Sequence, residues 1–427
     1  MNHPITAVLI GAGQRGMDAY GAYALEYPDE IRFVAVADAN PARRDEFREA
    51  HGVAAEHCYA GWEQLLEGPR LADAILICTQ DRMHYEPAIK AFEKGYHVLL
   101  EKPMSIDPLE CIAMGEVAAK HNRVFAICHV LRYTKFFSEI KRLVSEGVVG
   151  RLVTLQQTEN VSPGHQAHSF VRGNWRNSQT SSPMILAKSC HDMDIMLWLV
   201  GADCTKVSSF GSLTHFRQEN APEGAPERCL DGCPATDTCL YYAPRAYLER
   251  KDWVGDVLRR VVSGDTSDEG VIRALREGPY GRCVYRCDNN VVDHQVVNLE
   301  FANEVTATFT MTAFTRNGGR EVRLMGTKGE LRACSVKNEI EISDFATGKT
   351  TVVPIDAPQA GHGGGDSGIM RDFIRIVRSE GREAGRTGAN ISVQSHLMAF
   401  AAEKSRVEQS TILLSDYISE LKESLTI

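Results

Sequence analysis

The chain has 427 residues, of which 43% are hydrophobic and 24% charged, with a formal net charge of −9 at pH 7. This composition excludes disordered, collagen-like and coiled-coil chains and leaves room for two globular domains. The acidic balance is spread along the sequence and no basic stripe is present, so we expect small-molecule partners and no nucleic acid. No apolar run approaches the ~20 residues that cross a bilayer, and no signal-peptide pattern opens the chain, so we expect a cytoplasmic protein without membrane contact.

The first elements predict a strand, a glycine-rich turn and a helix. The apolar run at 7–10 precedes the turn, helix-forming sequence follows at 17–25, and a second apolar run ends in Asp38. Asp38 lies about 20 residues beyond the glycines, which is the spacing of the dinucleotide-binding fingerprint. The turn comprises Gly11, Ala12, Gly13, Gln14, Arg15 and Gly16.

Each conspicuous residue of this fingerprint has a physical role in binding a dinucleotide. Gly11 permits the tight turn, Gly13 lets backbone N–H groups approach the pyrophosphate, and Gly16 allows the helix to pack closely on the strand. The Asp38 carboxylate would accept hydrogen bonds from the ribose hydroxyls and repel a 2′-phosphate. The pattern therefore favours NAD over NADP, although Arg43 and Arg44 follow closely and soften that preference.

Strands and helices continue to alternate up to residue 128. Buried strands are predicted at 74–78, 97–100 and 125–128, with helices between them. This order is typical of a doubly wound parallel sheet, in which ligands lie at the carboxyl ends of the strands. We therefore assign residues 1–128 to a Rossmann domain. The further cofactor-binding candidates at its strand ends are Thr79, Gln80, His84, Glu101 and Lys102.

Beyond about residue 150 the hydrophobic pattern has a period of two, which predicts an antiparallel sheet. The predicted strands fall at 152–155, 296–301, 305–314 and 322–331. A polar stretch at about 215–290 interrupts them as an insertion, and the last segment, from about 366 to 425, is mostly helical. We therefore assign residues 129–427 to a second α/β domain that binds substrate and mediates oligomerisation.

Lys102 is the first candidate for acid–base chemistry. It lies at the carboxyl end of a buried parallel strand, between Glu101 and Pro103, so its ammonium group is partly desolvated. Desolvation of a lysine favours proton transfer near neutral pH.

The glycine-rich turn, Asp38, the turn from Thr79 to His84 and the Glu101-Lys102-Pro103 motif together resemble the Gfo/Idh/MocA family of sugar and inositol dehydrogenases. The resemblance spans nearly the whole chain. It implies a Rossmann domain followed by an α/β domain with an open, mostly antiparallel sheet, and a homodimer or homotetramer. It also places Lys102 at the substrate hydroxyl beside the nicotinamide and assigns the catalytic histidine to His191.

The sequence departs from the family pattern just before His191. The family often has an aspartate four residues earlier, where this chain has Ala187 followed by Lys188. Either Lys102, His191 and Lys188 share the proton chemistry, or Lys188 only binds a substrate carboxylate or hydroxyl. Asp194, on the same predicted helix, is expected to orient a substrate hydroxyl.

Several polar side chains from distant segments are candidates for the substrate pocket. His165 and His168 have a spacing that would suit a metal, but no third ligand is evident nearby, so sugar contact is favoured. The glycine-rich segment at 361–366 either approaches the ligand or only caps a helix through Asp366. The candidates are Arg132, His165, His168, Trp175, Arg176, Asp194 and His362.

Five of the twelve cysteines lie within the insertion. One interpretation is a structural zinc site on Cys229, Cys233, Cys239 and Cys283, with Cys287 as the alternative fourth ligand. The spacings are looser than the usual zinc motif. Free thiols are the main alternative, followed by disulfides and an iron–sulfur cluster.

Three functions follow from these motifs. The first is NAD-dependent oxidation of a secondary hydroxyl of a sugar, a cyclitol or a derivative, with Lys102 or His191 taking the proton. The second is a redox glycosidase that oxidises, eliminates, adds water and reduces, with no net redox change. The third is a non-enzymatic NAD sensor, which the presence of Lys102 and His191 argues against.

Overall fold

A computed structural model describes residues 3–358 and 361–424. Its N-terminal part is a six-stranded sheet in the order β3-β2-β1-β4-β5-β6, with every pair parallel. The predicted doubly wound parallel sheet is thereby confirmed. The strands are β1 (Ile5–Ile10), β2 (Ile31–Ala37), β3 (Cys58–Tyr59), β4 (Ala74–Ile77), β5 (His97–Leu100) and β6 (Phe125–Ile127).

Helices connect these strands and cover both faces of the sheet. The helix Pro41–His51 shows why they form where they do: Asn40 caps its first amides, proline occupies its first position, and Gly52 ends it with a φ of 62°. The helix after the glycine-rich turn begins as a π-helix. The elements are Arg15–Gly21 (π), Ala22–Glu26, Pro41–His51, Trp62–Glu67, Tyr85–Glu93 and Pro108–Lys120, with short 3₁₀ turns at Ala55–His57, Asp81–Met83 and Val130–Tyr133.

The second part is built on a nine-stranded sheet in the order β14-β13-β12-β11-β7-β10-β9-β8-β15. Only the β10–β7 pair is parallel, so the predicted open, mostly antiparallel sheet is confirmed. The strands are β7 (Leu152–Asn160), β8 (Cys204–Ser212), β9 (His294–Phe301), β10 (Thr306–Thr312), β11 (Gly319–Gly326), β12 (Gly329–Cys334), β13 (Glu339–Asp344), β14 (Thr350–Pro354) and β15 (Ile412–Leu413).

The single strand predicted at 322–331 is wrong, because a turn interrupts it. The segment at 322–331 is two strands, β11 and β12, that pair antiparallel across a turn at Thr327 and Lys328. Leu324 lies opposite Leu331, and both strands of the hairpin present apolar side chains to the same core. The apolar pattern in the sequence therefore continues across the turn. Hydrophobic periodicity alone does not reveal such a turn.

Helices of the second part lie against one face of this sheet and against the first part. These helices are Lys135–Ser145, Pro163–His165, Gln166–Arg172 (π), Met184–Ala187, Cys190–Val200, Ala389–Glu408 and Leu414–Ser424. The helix Ala389–Glu408 contacts β8, Cys190–Val200 and Pro108–Lys120 and so joins the two parts. None of the helices in the described ranges is long and apolar enough to span a bilayer.

The helix Gly361–Arg378 returns to the N-terminal sheet. Its apolar residues, including Ile369, Met370 and Phe373, share a core with Ala7 and Leu9 of β1. Its first turn is irregular, because His362, Gly363 and Gly364 have φ values of 48°, 64° and 87°. A segment distant in sequence therefore delivers its polar first turn to the rim of the Rossmann sheet.

Between β8 and β9 the chain leaves the sheet and forms short helices around two small apolar cores. The helices are Gln218–Asn220 (3₁₀), Arg245–Glu249 (π), Trp253–Val262, Asp268–Glu277 and Pro279–Gly281 (3₁₀). His168 contacts this segment through a 3.0 Å hydrogen bond to the Tyr247 hydroxyl and a stacked contact with Tyr280. The insertion is thus packed on the helix Gln166–Arg172.

Candidate active site

The glycine-rich turn forms an open cradle at the carboxyl end of β1. Gly11 has a φ of +94°, and a Cβ there would lie 2.7 Å from the Cys78 carbonyl. A Cβ at Gly16 would lie 2.2 Å from the Gly11 oxygen, whereas at Gly13 the nearest atom is an Arg43 nitrogen at 3.8 Å. Protein atoms therefore fill the space beside two of the glycines, and the space beside Gly13 remains for a ligand.

Because only the space beside Gly13 is open, substitutions at Gly13 and Gly16 should affect NAD binding and stability separately. We expect Gly13→Val to weaken NAD binding at least roughly tenfold without loss of thermal stability, because its side chain enters the ligand space only. By contrast, Gly16→Ala should cost about 1–3 kcal/mol of stability through overpacking. Titration with NAD and thermal unfolding measure the two effects, with Gly264→Val as the control because no atom surrounds that glycine within 4 Å. Unchanged NAD affinity in Gly13→Val would place the pyrophosphate elsewhere.

Asp38 lies at the end of β2 and is 8% exposed. Its carboxylate accepts hydrogen bonds from the Ala12 amide at 2.7 Å and the Asn40 amide at 2.7 Å, and it pairs with Arg43 at 3.3 Å. The strand end thus fixes a carboxylate beside the cradle, in the position that the fingerprint requires for ribose recognition.

Glu101, at the end of β5, is held by Arg15 and Tyr20. Arg15 Nε and the Tyr20 hydroxyl each donate to Glu101 Oε1 at 2.6 Å, and Arg15 also pairs with Asp366 at 2.8 Å. Burial alone would raise the pKa of Glu101, but the Arg15 charge and the Tyr20 hydrogen bond outweigh it and lower the pKa. Arg15 of the glycine-rich turn therefore lies in a charged network and ties the cradle to the helix Gly361–Arg378.

Asp366 of the glycine-rich segment at 361–366 belongs to the same network. The carboxylate lies 3.1 Å from His362 Nδ1 and pairs with Arg15, so it connects two chain segments. Burial disfavours the charged form, but the His362 hydrogen bond and Arg15 together lower the pKa of Asp366. His362 keeps 45% of its side chain exposed next to the cradle, which suits contact with a ligand.

Lys102 reaches across from β5 to the segment that precedes the helix Cys190–Val200. Its Nζ donates to the Ala187 carbonyl at 2.7 Å. His191, in the first turn of that helix, is 8% exposed, and its Nδ1 is buried without a hydrogen-bond partner in the described part of the chain. Burial, the Lys102 charge and His129 lower the pKa of His191 well below the ordinary value, so the imidazole is neutral at neutral pH.

Lys188 belongs to a buried charge network on the sheet. Its Nζ lies 3.3 Å from Glu159, which also pairs with Arg320 at 2.6 Å. Arg320 donates to Asp192 at 2.8 Å and 3.0 Å, and Gln157 donates to the same carboxylate. Lys188 remains 21% exposed, so this network fixes its position while leaving part of the ammonium group accessible.

Two predicted substrate residues have a structural role instead. Arg132 donates to both carboxylate oxygens of Asp194 at 2.7 Å, and each residue is 1% exposed. Burial raises the pKa of Asp194 although Arg132 opposes that shift. Both side chains are buried in this ion pair, so the structure gives no support to the predicted substrate contacts of Asp194 and Arg132, which stay predictions.

The two ends of the segment at 165–176 have different neighbours. His165 lies near Lys188, and desolvation of its ring together with the Lys188 charge lowers its pKa. His168 contacts Tyr247 and Tyr280 instead, and Arg176 pairs with Asp288 at 2.8 Å. His168 and Arg176 thus contact the insertion, which gives no support to the substrate role predicted for them, whereas His165 stays a candidate.

Two other predicted residues brace the loops at the sheet edge. Trp175 Nε1 donates to the buried Asp81 at 3.3 Å. His84 is 1% exposed, and its ring nitrogens lie 2.8 Å from the Pro103 oxygen and 3.1 Å from the Thr79 oxygen. His84 thus joins the loops after β4 and β5, while Thr79 and Gln80 lie at the rim of the cradle.

A structural zinc site is not supported. Across residues 3–358 and 361–424, no three His, Cys, Asp or Glu side chains are grouped so as to hold a metal ion. Cys229, Cys233, Cys239, Cys283 and Cys287 are all free thiols. His165 and His168 likewise form no metal site, because they face different surroundings.

The structure also brings in residues that sequence reasoning missed. Glu159 and Arg320 face each other directly in the β7–β11 register. His129 lies behind His191 with ring centroids 5.9 Å apart, and neither of its ring nitrogens has a hydrogen-bond partner within the described ranges. No sequence signal marked these residues, because Glu159, Arg320 and His129 all lie outside the predicted strands.

Comparison with known proteins agrees with this architecture. A family model described as an oxidoreductase family with an NAD-binding Rossmann fold matches residues 5–129. A second, described as the C-terminal alpha/beta domain of the same family, matches residues 141–388. A levoglucosan dehydrogenase in complex with NADH and levoglucosan superposes with a TM-score of 0.70 at 18% identity, over 96% of this chain and 100% of that one.

Among sequence relatives, the myo-inositol 2-dehydrogenase of Thermotoga maritima is 26% identical over 48% of this chain and 58% of its own length. The 2,7-anhydro-N-acetylneuraminate hydratase of Escherichia coli is 25% identical over 35% of this chain and 40% of its own length. The chain thus matches these two relatives over about half of their length. Since the family models together cover most of its residues, the chain belongs to the Gfo/Idh/MocA family of NAD-binding oxidoreductases, a family that includes sugar and inositol dehydrogenases.

Proposed function

We propose that the protein is an NAD-dependent dehydrogenase that oxidises a secondary CH–OH group of a sugar, a cyclitol or a sugar derivative. The observation that carries this proposal is the convergence of Lys102 and the neutral His191 beside the open cradle at Gly13. Relatives named for inositol and glucoside substrates support the substrate class.

The residues of the cradle fit NAD. The glycine-rich turn would hold the pyrophosphate, Asp38 the adenosine ribose, and Thr79, Gln80 and Glu101 the nicotinamide end, which lies at the carboxyl ends of the central strands. Bound NAD supplies the hydride acceptor. The chain's own residues then have to position the hydroxyl group and remove its proton.

His191 is the base in this scheme, and Lys102 is the positioning cation. A neutral imidazole can accept the hydroxyl proton, whereas the Lys102 ammonium can donate a hydrogen bond to the same oxygen as negative charge develops on it. Lys188, held in place by Glu159, lies three residues before His191 and would bind a further polar group of the substrate. His165 and His362 line the approach.

The lowered pKa of His191 determines how kcat/KM for the proposed oxidation depends on pH. The rate follows the neutral fraction of His191, which falls only when the pH drops to its pKa, and burial and Lys102 have moved that pKa downward. We therefore expect kcat/KM for oxidation to stay level from about pH 8 to below about 6.5, the ordinary histidine value. A pH–rate profile measures this. An acid limb at or above about 6.5 would remove His191 as the base.

A redox glycosidase or lyase-type reaction remains the second candidate. One relative is named a 2,7-anhydro-N-acetylneuraminate hydratase, and His165 and His362 add two imidazoles to Lys102 and His191 near the cradle. The same NAD cradle would serve both reactions.

One assay distinguishes the candidates. The purified protein is incubated with NAD and a panel of free sugars, inositols and aryl glycosides, while NADH absorbance and aglycone release are followed together, with Lys102→Ala alongside. We expect NADH to accumulate with a free sugar or cyclitol and not in the variant. NAD-dependent aglycone release without net NADH would instead establish the redox glycosidase.

We also infer a homodimer or homotetramer that uses the outer face of the nine-stranded sheet. Phe210 on β8 and Val352 on β14 point away from the core and are 65% and 53% exposed. Large apolar side chains on an open sheet face are typical of interaction surfaces. Sedimentation should show more than one chain per particle, and a monomer at micromolar concentration would contradict the inference.

A further inference from the structure

Four cysteines of the insertion surround one cavity. Cys229, Cys233, Cys239 and Cys283 all line it, although they come from segments more than forty residues apart. The Cys229 amide donates to the Gly281 carbonyl at 2.9 Å, and the Cys283 amide donates to the Glu227 carbonyl at 2.8 Å. This antiparallel contact holds the two segments side by side, so their cysteines face the same space.

Arg172 lines the same cavity and lacks an anionic partner. It is 1% exposed, and its guanidinium donates to the Arg282 and Tyr241 carbonyls and lies 3.5 Å from Cys229 Sγ. Among the described residues its partners are two carbonyls, the Cys229 thiol and the Tyr247 hydroxyl, and none of them is a carboxylate. A buried charge without a counter-charge is costly, so this cation is expected to face a negatively charged group.

The size of the cavity argues against a single ion. Four sulfur atoms at about 2.3 Å from a zinc ion leave no room for a water-sized sphere between them. Four thiols line this one cavity, yet in the described ranges no three His, Cys, Asp or Glu side chains are close enough together to hold a single ion. The thiols are therefore arranged around a wider space than one ion fills.

We propose that Cys229, Cys233, Cys239 and Cys283 bind a cubane iron–sulfur cluster. Four thiolates are the usual ligands of a [4Fe–4S] cluster, and the liganded cluster is an anion that the Arg172 guanidinium would neutralise. Each of the four thiols loses its proton to solvent when its sulfur bonds iron. Cys287 is not a ligand, because its thiol donates to the Cys283 carbonyl at 3.3 Å and does not line the cavity.

The cluster has a structural role in this arrangement. Arg172 lies at one end of the helical segment 163–172, His168 contacts the insertion in the middle, and His165 lies toward the other end, near the charges of Lys188 and Lys102. A cluster that fixes the insertion would therefore fix the position of His165. The assignment of the cluster does not depend on the substrate of the enzyme.

Metal analysis of the full-length protein tests the proposal. We expect protein purified without oxygen to contain iron and acid-labile sulfide in equal amounts, roughly four of each per chain, with broad visible absorption. Protein isolated in air should regain both after anaerobic incubation with ferrous iron and sulfide. Stoichiometric zinc without iron, or no iron uptake under those conditions, would overturn the proposal.

Two further measurements identify the ligands. Cys239→Ala should lose most of the iron, whereas Cys287→Ala, from the same segment, should retain it; NAD binding reports that the N-terminal domain is folded in both. In the unmodified protein, alkylation mapped by mass spectrometry should reach the four ligand cysteines only after the cluster is removed by oxidation and a chelator. Equal labelling before and after removal, or equal iron in the two variants, would refute the assignment.

Discussion

Replacement of Lys102 by alanine is expected to lower kcat/KM for the oxidised substrate by roughly 10²–10³-fold, the usual effect of removing one hydrogen-bond donor to a developing oxyanion. The Lys102 ammonium is anchored to the Ala187 carbonyl at 2.7 Å beside His191, so alanine removes the cation that faces the substrate oxygen. NAD affinity should change little, because the cradle at Gly13 and Asp38 does not depend on this side chain. Steady-state kinetics together with NAD titration measure the two quantities separately.

The pH dependence of kcat/KM is a second measurement of the role of Lys102. Because the Lys102 charge lowers the pKa of His191, its removal should move the acid limb of kcat/KM toward higher pH. Lys120→Ala, at an exposed helix end of the same domain, is the matched control and should leave both rate and profile unchanged. If Lys102→Ala lost activity only through a raised NAD dissociation constant, the lysine would be a cofactor contact and not part of the proton chemistry.

The parts of the site that sequence predicted are those encoded by neighbouring residues. The glycine-rich turn, Asp38 and Glu101-Lys102 lie within single strand–turn units, where hydrophobic pattern and glycine spacing determine both structure and position. His191 required the family resemblance, since an isolated histidine on an apolar helix is otherwise ambiguous. Its neutral state could be inferred only once His129 and Lys102 were seen around it.

The partners of charged residues were beyond sequence reasoning. Arg15 pairs with Asp366 across 351 positions, and no local pattern links them. Arg132 and Asp194 are a second example, because they are 62 positions apart and only the fold shows that they pair with each other in the interior. The cysteines show the reverse case, because their clustering was visible in the sequence but their position around one cavity was not.

The buried charge network behind Lys188 leads to the second large effect, on stability. Arg320 is the cation that both Glu159 and Asp192 contact, and these carboxylates are 2% and 0% exposed. Arg320→Ala leaves two buried carboxylates with only Lys188 and Gln157 nearby, so we expect a loss of about 3–5 kcal/mol in the free energy of unfolding. Arg323→Ala is the matched control on the same strand: it breaks a partly exposed pair with Glu330 and should cost about 0–1 kcal/mol.

The sign of the pH dependence separates this electrostatic effect from lost packing. Burial already raises the pKa of Glu159 in the intact protein, although Arg320 and Lys188 oppose the shift. Without Arg320 that pKa rises further above its unfolded value, so the native state binds more protons than the unfolded state and stability falls as pH rises. The free energy of unfolding that Arg320→Ala loses relative to the unmodified protein should therefore be largest near neutral pH and decrease toward pH ~5. Denaturant unfolding at several pH values measures it. A deficit that does not vary with pH would mean that the arginine stabilises the sheet through packing alone.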